Sequence, residues 1–74
     1  MNPKASEKQE NKFISIVIAI YNEEDNVKEL TDRIYNSMNI LKIPFELIYI
    51  IDGTDDSFKI LKDIQKSKNN LILD

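Results

Sequence analysis

Two apolar runs, each rich in β-branched residues and each leading straight into a cluster of acids, leave few folds open to this chain. The first, Phe13 to Ile20 (FISIVIAI), runs into Tyr21, Asn22, Glu23, Glu24 and Asp25. The second, Phe45 to Ile51 (FELIYII), runs into Asp52, Gly53, Thr54, Asp55 and Asp56. Near-continuous apolar runs of this length are the pattern of strands buried on both faces, as in a parallel sheet.

Parallel strands need a crossover, and the intervening sequence supplies one. Val27, Leu30, Ile34, Met38 and Leu41 recur at steps of three or four, which predicts one apolar stripe along a helix of about five turns. Ile43 and Pro44 end it, because proline disfavours helical geometry in the residue before it and has no amide hydrogen to donate. After the second run, Phe58, Leu61 and Ile64, flanked by Ile60, predict a shorter amphipathic helix with Lys59 and Asp63 one turn apart. Leu71 to Asp74 (LILD) reads as the start of a third strand. The order strand, helix, strand, helix, strand is a βαβαβ, Rossmann-like α/β unit with right-handed crossovers.

Composition narrows the chemistry. At 74 residues, the chain is one small domain or a piece of a larger one. Ten basic and 13 acidic residues give a net charge of -3, without the cationic surplus on which nucleic-acid binding depends. With no Cys and no His, disulfides, thiolate metal sites and the commonest general base are absent, so any chemistry rests on carboxylates, amides and hydroxyls. Residues 1–12 are polar with alternating charge; we read them as a disordered leader rather than a targeting signal, and residues 13–74 as the domain. No apolar run approaches the roughly 20 residues of a membrane span.

The C-terminal ends of parallel strands share one edge of the sheet, and in open α/β folds that edge is where ligands bind. Six carboxylates, Glu23, Glu24, Asp25, Asp52, Asp55 and Asp56, fall on it. Part of this acid has a structural reading: Asn22, Thr54 and Asp55 are favoured helix caps, and acids in a first turn complement the helix dipole. Tyr21 would either stack on a flat ligand or simply pack. Gly53 is the only glycine, which excludes the dinucleotide fingerprint and the P-loop. If a nucleotide binds, these carboxylates accept hydrogen bonds from ribose hydroxyls or base N–H groups, while a cation or basic group handles the phosphates.

The stretches ISIVIAIYNEEDNV and FELIYIIDGTDDSFKIL resemble the N-terminal segment of family 2 glycosyltransferases of the GT-A fold. The likeness is greatest to the branch of dolichol-phosphate mannose synthase and other polyprenyl-phosphate sugar transferases. There a first strand runs into Pro-x-Tyr-Asn-Glu-Glu-x-Asn and a second into Asp-Asp-Gly-Ser-x-Asp-Gly-Thr. The resemblance covers about residues 14–73. It places Tyr21 and Glu23 on the first nucleotide-contacting turn, with Asn22 between them, and Asp52 on the second Asp of the pair. Gly53 falls on the family's glycine, Thr54 on its Ser and Asp56 on its later Asp. Two positions depart: Ala19 stands for the proline and Ile51 for the first Asp of the pair.

The resemblance implies a nucleotide-sugar-binding portion of an enzyme that transfers a sugar from a UDP- or GDP-sugar to a lipid-phosphate or glycan acceptor. Tyr21, Asn22, Glu23, Asp52 and Asp56 are its donor-binding candidates. It also implies Mg²⁺ or Mn²⁺ in the complete enzyme and work in the cytoplasm, at the cytoplasmic face of a membrane. The family's metal-binding Asp-x-Asp motif and general base lie on later segments, so the expectation is a truncated N-terminal part, incomplete for catalysis alone and binding no metal by itself. The alternative is a small non-catalytic α/β interaction module that self-associates through an open sheet edge.

Overall fold

The computed structural model describes residues 12–74. Of the leader read over residues 1–12, residues 1–11 lie outside this range, and Lys12 is exposed. The elements are β1 (Ile14–Tyr21), α1 (Val27–Leu41), β2 (Phe45–Asp52), α2 (Ser57–Gln65) and β3 (Leu71–Leu73). The three strands form one parallel sheet in the order β1-β2-β3, the βαβαβ arrangement expected from the two apolar runs.

Strand order follows chain order, and parallel crossovers share one hand, so both helices fall on the same face of the sheet. The core lies there: Ile20, Leu47, Tyr49 and Leu71 from the strands meet Val27 of α1 and Leu61 of α2, with Ile16, Ile18, Ile34, Ile51 and Ile60 packed around them. The expectation that the strands are buried on both faces fails among the described residues. β1 alternates between half-buried and exposed positions, and Val17, Tyr21, Ile50 and Ile72 are exposed on the face that no helix covers. A continuous apolar run records that both faces are suited to burial; it does not record which neighbours are there to bury them.

The helix stripes also shift. Leu30, Leu41 and Phe58, expected in the core, are exposed, whereas Thr31 and Ser57 are buried. Thr31 is held inside because its hydroxyl donates to the Val27 carbonyl at 2.7 Å and meets the Tyr49 hydroxyl at 2.7 Å. A buried polar group that keeps its hydrogen bonds avoids the desolvation cost that otherwise excludes it. Burial pushes the Tyr49 phenol above its ordinary pKa, and the Thr31 hydrogen bond offsets part of that rise.

α1 ends as read, with Lys42 in the left-handed region (φ 58) donating to the Met38 carbonyl at 2.9 Å ahead of Pro44. Asp63 pairs with Lys66 at 3.5 Å rather than with Lys59; the pair is exposed and contributes little.

Candidate functional site

The register sets Tyr21 directly beside Asp52, so the last residues of β1 and β2 reach the same edge of the sheet together. Both side chains are exposed and lie on the uncovered face. The chain then leaves the two strands in turns that are stitched to each other.

Asn22 makes the first stitch. Its backbone is left-handed (φ 51), a conformation that asparagine tolerates better than most residues. Its Oδ1 accepts from the Thr54 amide at 2.9 Å and the Asp55 amide at 3.2 Å. Gly53 (φ 116) is what lets it approach: a Cβ there would lie 2.3 Å from Asn22 Oδ1.

Further bonds run in both directions. The Glu23 amide donates to Ser57 Oγ at 3.0 Å and the Glu24 amide to Asp55 Oδ2 at 2.9 Å. In return, the Asp56 amide donates to Glu24 Oε1 at 3.0 Å. Asp55 Oδ1 accepts from the Ser57 amide at 3.0 Å, so it braces the start of α2 while its other oxygen crosses to the first turn.

Partial desolvation works to raise the Asp55 pKa, but the hydrogen bonds accepted from the Ser57 and Glu24 amides outweigh it. The carboxyl is held below its ordinary value.

The acids therefore divide into two groups. Glu24 and Asp55 each give one oxygen to an amide of the opposite turn, and the Asn22 side chain is likewise engaged, which corrects its reading as a helix cap. The residues flanking α1 and α2, Asn26 and Asp56, make no side-chain cap bond. Tyr21, Asp52 and Asp56 remain exposed at the rim. Asp52 Oδ1 receives only its neighbour's amide, Gly53 N–H, at 2.8 Å. Glu23 Oε1 accepts from Asn26 Nδ2 at 3.3 Å. Sequence reasoning missed Ser57 as a member of the site; the signal was a small hydroxyl residue standing where the apolar stripe of α2 begins.

Ile51, where the resemblance would put the first Asp of the pair, packs against the core. Parallel-strand alternation turns it towards the helices, so Asp52 supplies the carboxylate on the Tyr21 face.

Among the described residues no group of three or more carboxylates converges to hold a metal ion. An apolar cleft of about 530 Å³ adjoins the site between β1 and the start of α1, lined by Ile18, Ile20, Tyr21, Glu23, Val27 and Leu30 among others. A larger groove of about 790 Å³ lies at the opposite end of the sheet, against Phe13, Tyr35, Lys42, Pro44 and Asn70, away from the acids.

Comparison with known proteins agrees with the order of these elements. Residues 15–73 match the profile of the family described as Glycosyl transferase family 2. An uncharacterized glycosyltransferase of Synechocystis sp. is 41% identical over 59 residues, covering 78% of this chain and 19% of that protein. An undecaprenyl-phosphate 4-deoxy-4-formamido-L-arabinose transferase of Proteus mirabilis is 34% identical over 61 residues, 81% of this chain and 19% of its own length. The protein of the same name from Pseudomonas fluorescens is 43% identical over 51 residues, 68% of this chain and 15% of its own length. The chain thus spans under one fifth of the length of these relatives. No solved structure matches it significantly.

Proposed function

The chain belongs to glycosyltransferase family 2, and from that premise we propose that residues 13–74 form the half-site that grips the nucleotide of a UDP- or GDP-sugar. The sugar would pass to a lipid-phosphate or glycan acceptor at the cytoplasmic face of a membrane. Among the described residues no helix is long and apolar enough to cross a membrane.

The observation that carries this reading is the pairing of Tyr21 with Asp52 at the end of the sheet where two turns are locked together. Tyr21 offers a ring to a flat base, and Asp52 and Asp56 offer acceptors to ribose hydroxyls or base N–H groups. Glu23 extends the acceptor row. Asn22 enters as the residue that holds the second turn in place rather than as a ligand to the donor. The remainder of the reaction is assigned to sequence of the kind that makes up the other four-fifths of the relatives.

The test is an amide NMR titration of the 74-residue chain with UDP and with GDP, with and without Mg²⁺. Shifts confined to Tyr21–Asp25 and Asp52–Asp56, and lost in Asp52→Asn, are the expected result; indifference to both nucleotides would overturn the proposal. The uncovered sheet face favours a second reading, a non-catalytic interaction module, whose mark would be association that ignores nucleotide.

A further inference from the structure

Gly53 is the only glycine of the chain, and an aspartate precedes it. An aspartate in that position can react with its own backbone: the next peptide nitrogen attacks the side-chain carbonyl carbon and closes a five-membered ring. A side chain on the following residue hinders the approach, and glycine has none.

The structure holds this pair ready for the attack. The Gly53 amide donates to Asp52 Oδ1 at 2.8 Å, so the carboxyl is folded back onto the nitrogen that attacks it, a local side-chain-to-backbone bond that competes with regular structure. Among the described residues it is the only hydrogen bond of that amide. Both residues are exposed, within reach of water. The contact joins neighbours in sequence, so it does not depend on what packs elsewhere against the sheet.

Other aspartates are placed differently. The amide after Asp25, that of Asn26, donates to the Glu23 carbonyl at 2.9 Å. The amide after Asp56, that of the buried Ser57, is committed to Asp55 Oδ1 at 3.0 Å. Asp55 gives its other oxygen to the Glu24 amide. Asp32 and Asp63 lie within helices, where the following amide is held in the helical ladder.

We propose that Asp52 and Gly53 form a self-modification site, where the backbone rearranges through a succinimide to an isoaspartyl linkage that unlocks the two turns. The Gly53 nitrogen bonds to Asp52 Cγ and gives its proton to solvent, while a carboxyl oxygen leaves as water; nothing is oxidised or reduced. Water then reopens the ring. Addition at Cγ restores aspartate, whereas addition at the main-chain carbonyl breaks the original C–N bond and leaves the chain running through Cβ and Cγ. The lock has no room for that inserted atom, because even a Cβ on Gly53 would overlap Asn22 Oδ1 and stand 3.1 Å from the Asn22 nitrogen. The Thr54 and Asp55 amides therefore leave Asn22 Oδ1, which they meet at 2.9 and 3.2 Å. If the rim is the donor site proposed above, the same step withdraws the Asp52 carboxylate from it; the reaction itself is measured without nucleotide and stands apart from that reading.

The test is to age the full chain at neutral pH and body temperature, folded and in urea, and to map peptides by electron-transfer fragmentation. In the folded chain a species lighter by one water should appear, followed by isoaspartate confined to residue 52, at a rate no lower than in urea. In urea the restraints on the other turns are gone, and isoaspartate should spread to Asp25 and Asp56. Asp52→Glu, which would need a larger ring, should abolish the reaction at this exposed position. Amide hydrogen exchange of the aged chain should show Thr54 and Asp55 losing protection in the isoaspartyl form. Folded chain that forms no isoaspartate at residue 52, forms it more slowly than unfolded chain, or forms it with both amides still protected would overturn the proposal.

Discussion

The contact between Gly53 and Asn22 makes a quantitative prediction. In Gly53→Ala the new Cβ would stand 2.3 Å from Asn22 Oδ1 and 3.1 Å from the Asn22 nitrogen, at a φ of 116. The backbone strain of an L-residue there costs about 1–3 kcal/mol. Relieving the overlap drives the Asn22 amide away from the Thr54 and Asp55 amides, which forfeits two hydrogen bonds of net worth about 0.5–1 kcal/mol each at this exposed site. The expected destabilisation is about 2–5 kcal/mol, comparable to the whole stability of so small a core. Urea denaturation is therefore best followed in a fixed concentration of a protecting osmolyte, which gives both variants a folded baseline. In an Asn22→Ala background the side-chain overlap and the two bonds are already gone, and only strain and the backbone approach remain. Gly53→Ala should then cost about 1–2 kcal/mol less than in the wild type. Additive effects, within about 0.5 kcal/mol, would show that the two residues do not act as one lock and would refute the reasoning.

Other consequences follow from the same network and core. Thr31→Val leaves the buried Tyr49 hydroxyl without its partner and should destabilise by about 1–3 kcal/mol; adding Tyr49→Phe should recover part of that loss in urea titrations. Asp55 is depressed in the folded chain, so its contribution is present above the unfolded carboxyl value of about 3.9 and is lost as pH falls through the lower folded value. The stability gap between wild type and Asp55→Asn, read from urea midpoints, should accordingly be constant near neutral pH and close below about pH 3.9; a gap that persists in acid would contradict the assignment. Tyr21→Ala removes an exposed ring and should change stability by under about 0.5 kcal/mol while abolishing the nucleotide-dependent shifts at Asp52.

The retained and the misplaced residues divide along physical lines. Both apolar runs, both helices and the start of a third strand were legible because β-branched runs, a three-to-four repeat and a proline act locally, within a turn or a strand. The acids were legible as a shared rim because parallel strands must end on the same side. What failed were the statements about which individual side chains are buried, because those depend on neighbours distant in sequence. Leu30, Leu41 and Phe58 satisfy the helical repeat and still lie outside the core, because the stripe that packs is set by where the sheet is. Thr31 and Ser57 are polar and still buried, because Tyr49 and the Glu23 amide reach them across the fold.

The site divides in the same way. Sequence alone placed Tyr21, Glu23, Asp52 and Asp56 where two strands give way to turns, since strand length and the following polar residues fix roughly where each strand stops; Tyr21 and Asp52 are the last strand residues, and Glu23 and Asp56 lie in the turns beyond. It could not distribute roles among the carboxylates and amides, because free and engaged acids look identical in a linear chain. Only tertiary structure brought Asn22 against Gly53, Thr54 and Asp55, more than thirty residues away in sequence. It also turned Ile51 inward and Asp52 outward, through a period of two that pairing with β1 locks in register. Among the described residues the same assembly puts both helices on one face of the sheet, a property of the assembled strands that no single stretch of sequence contains.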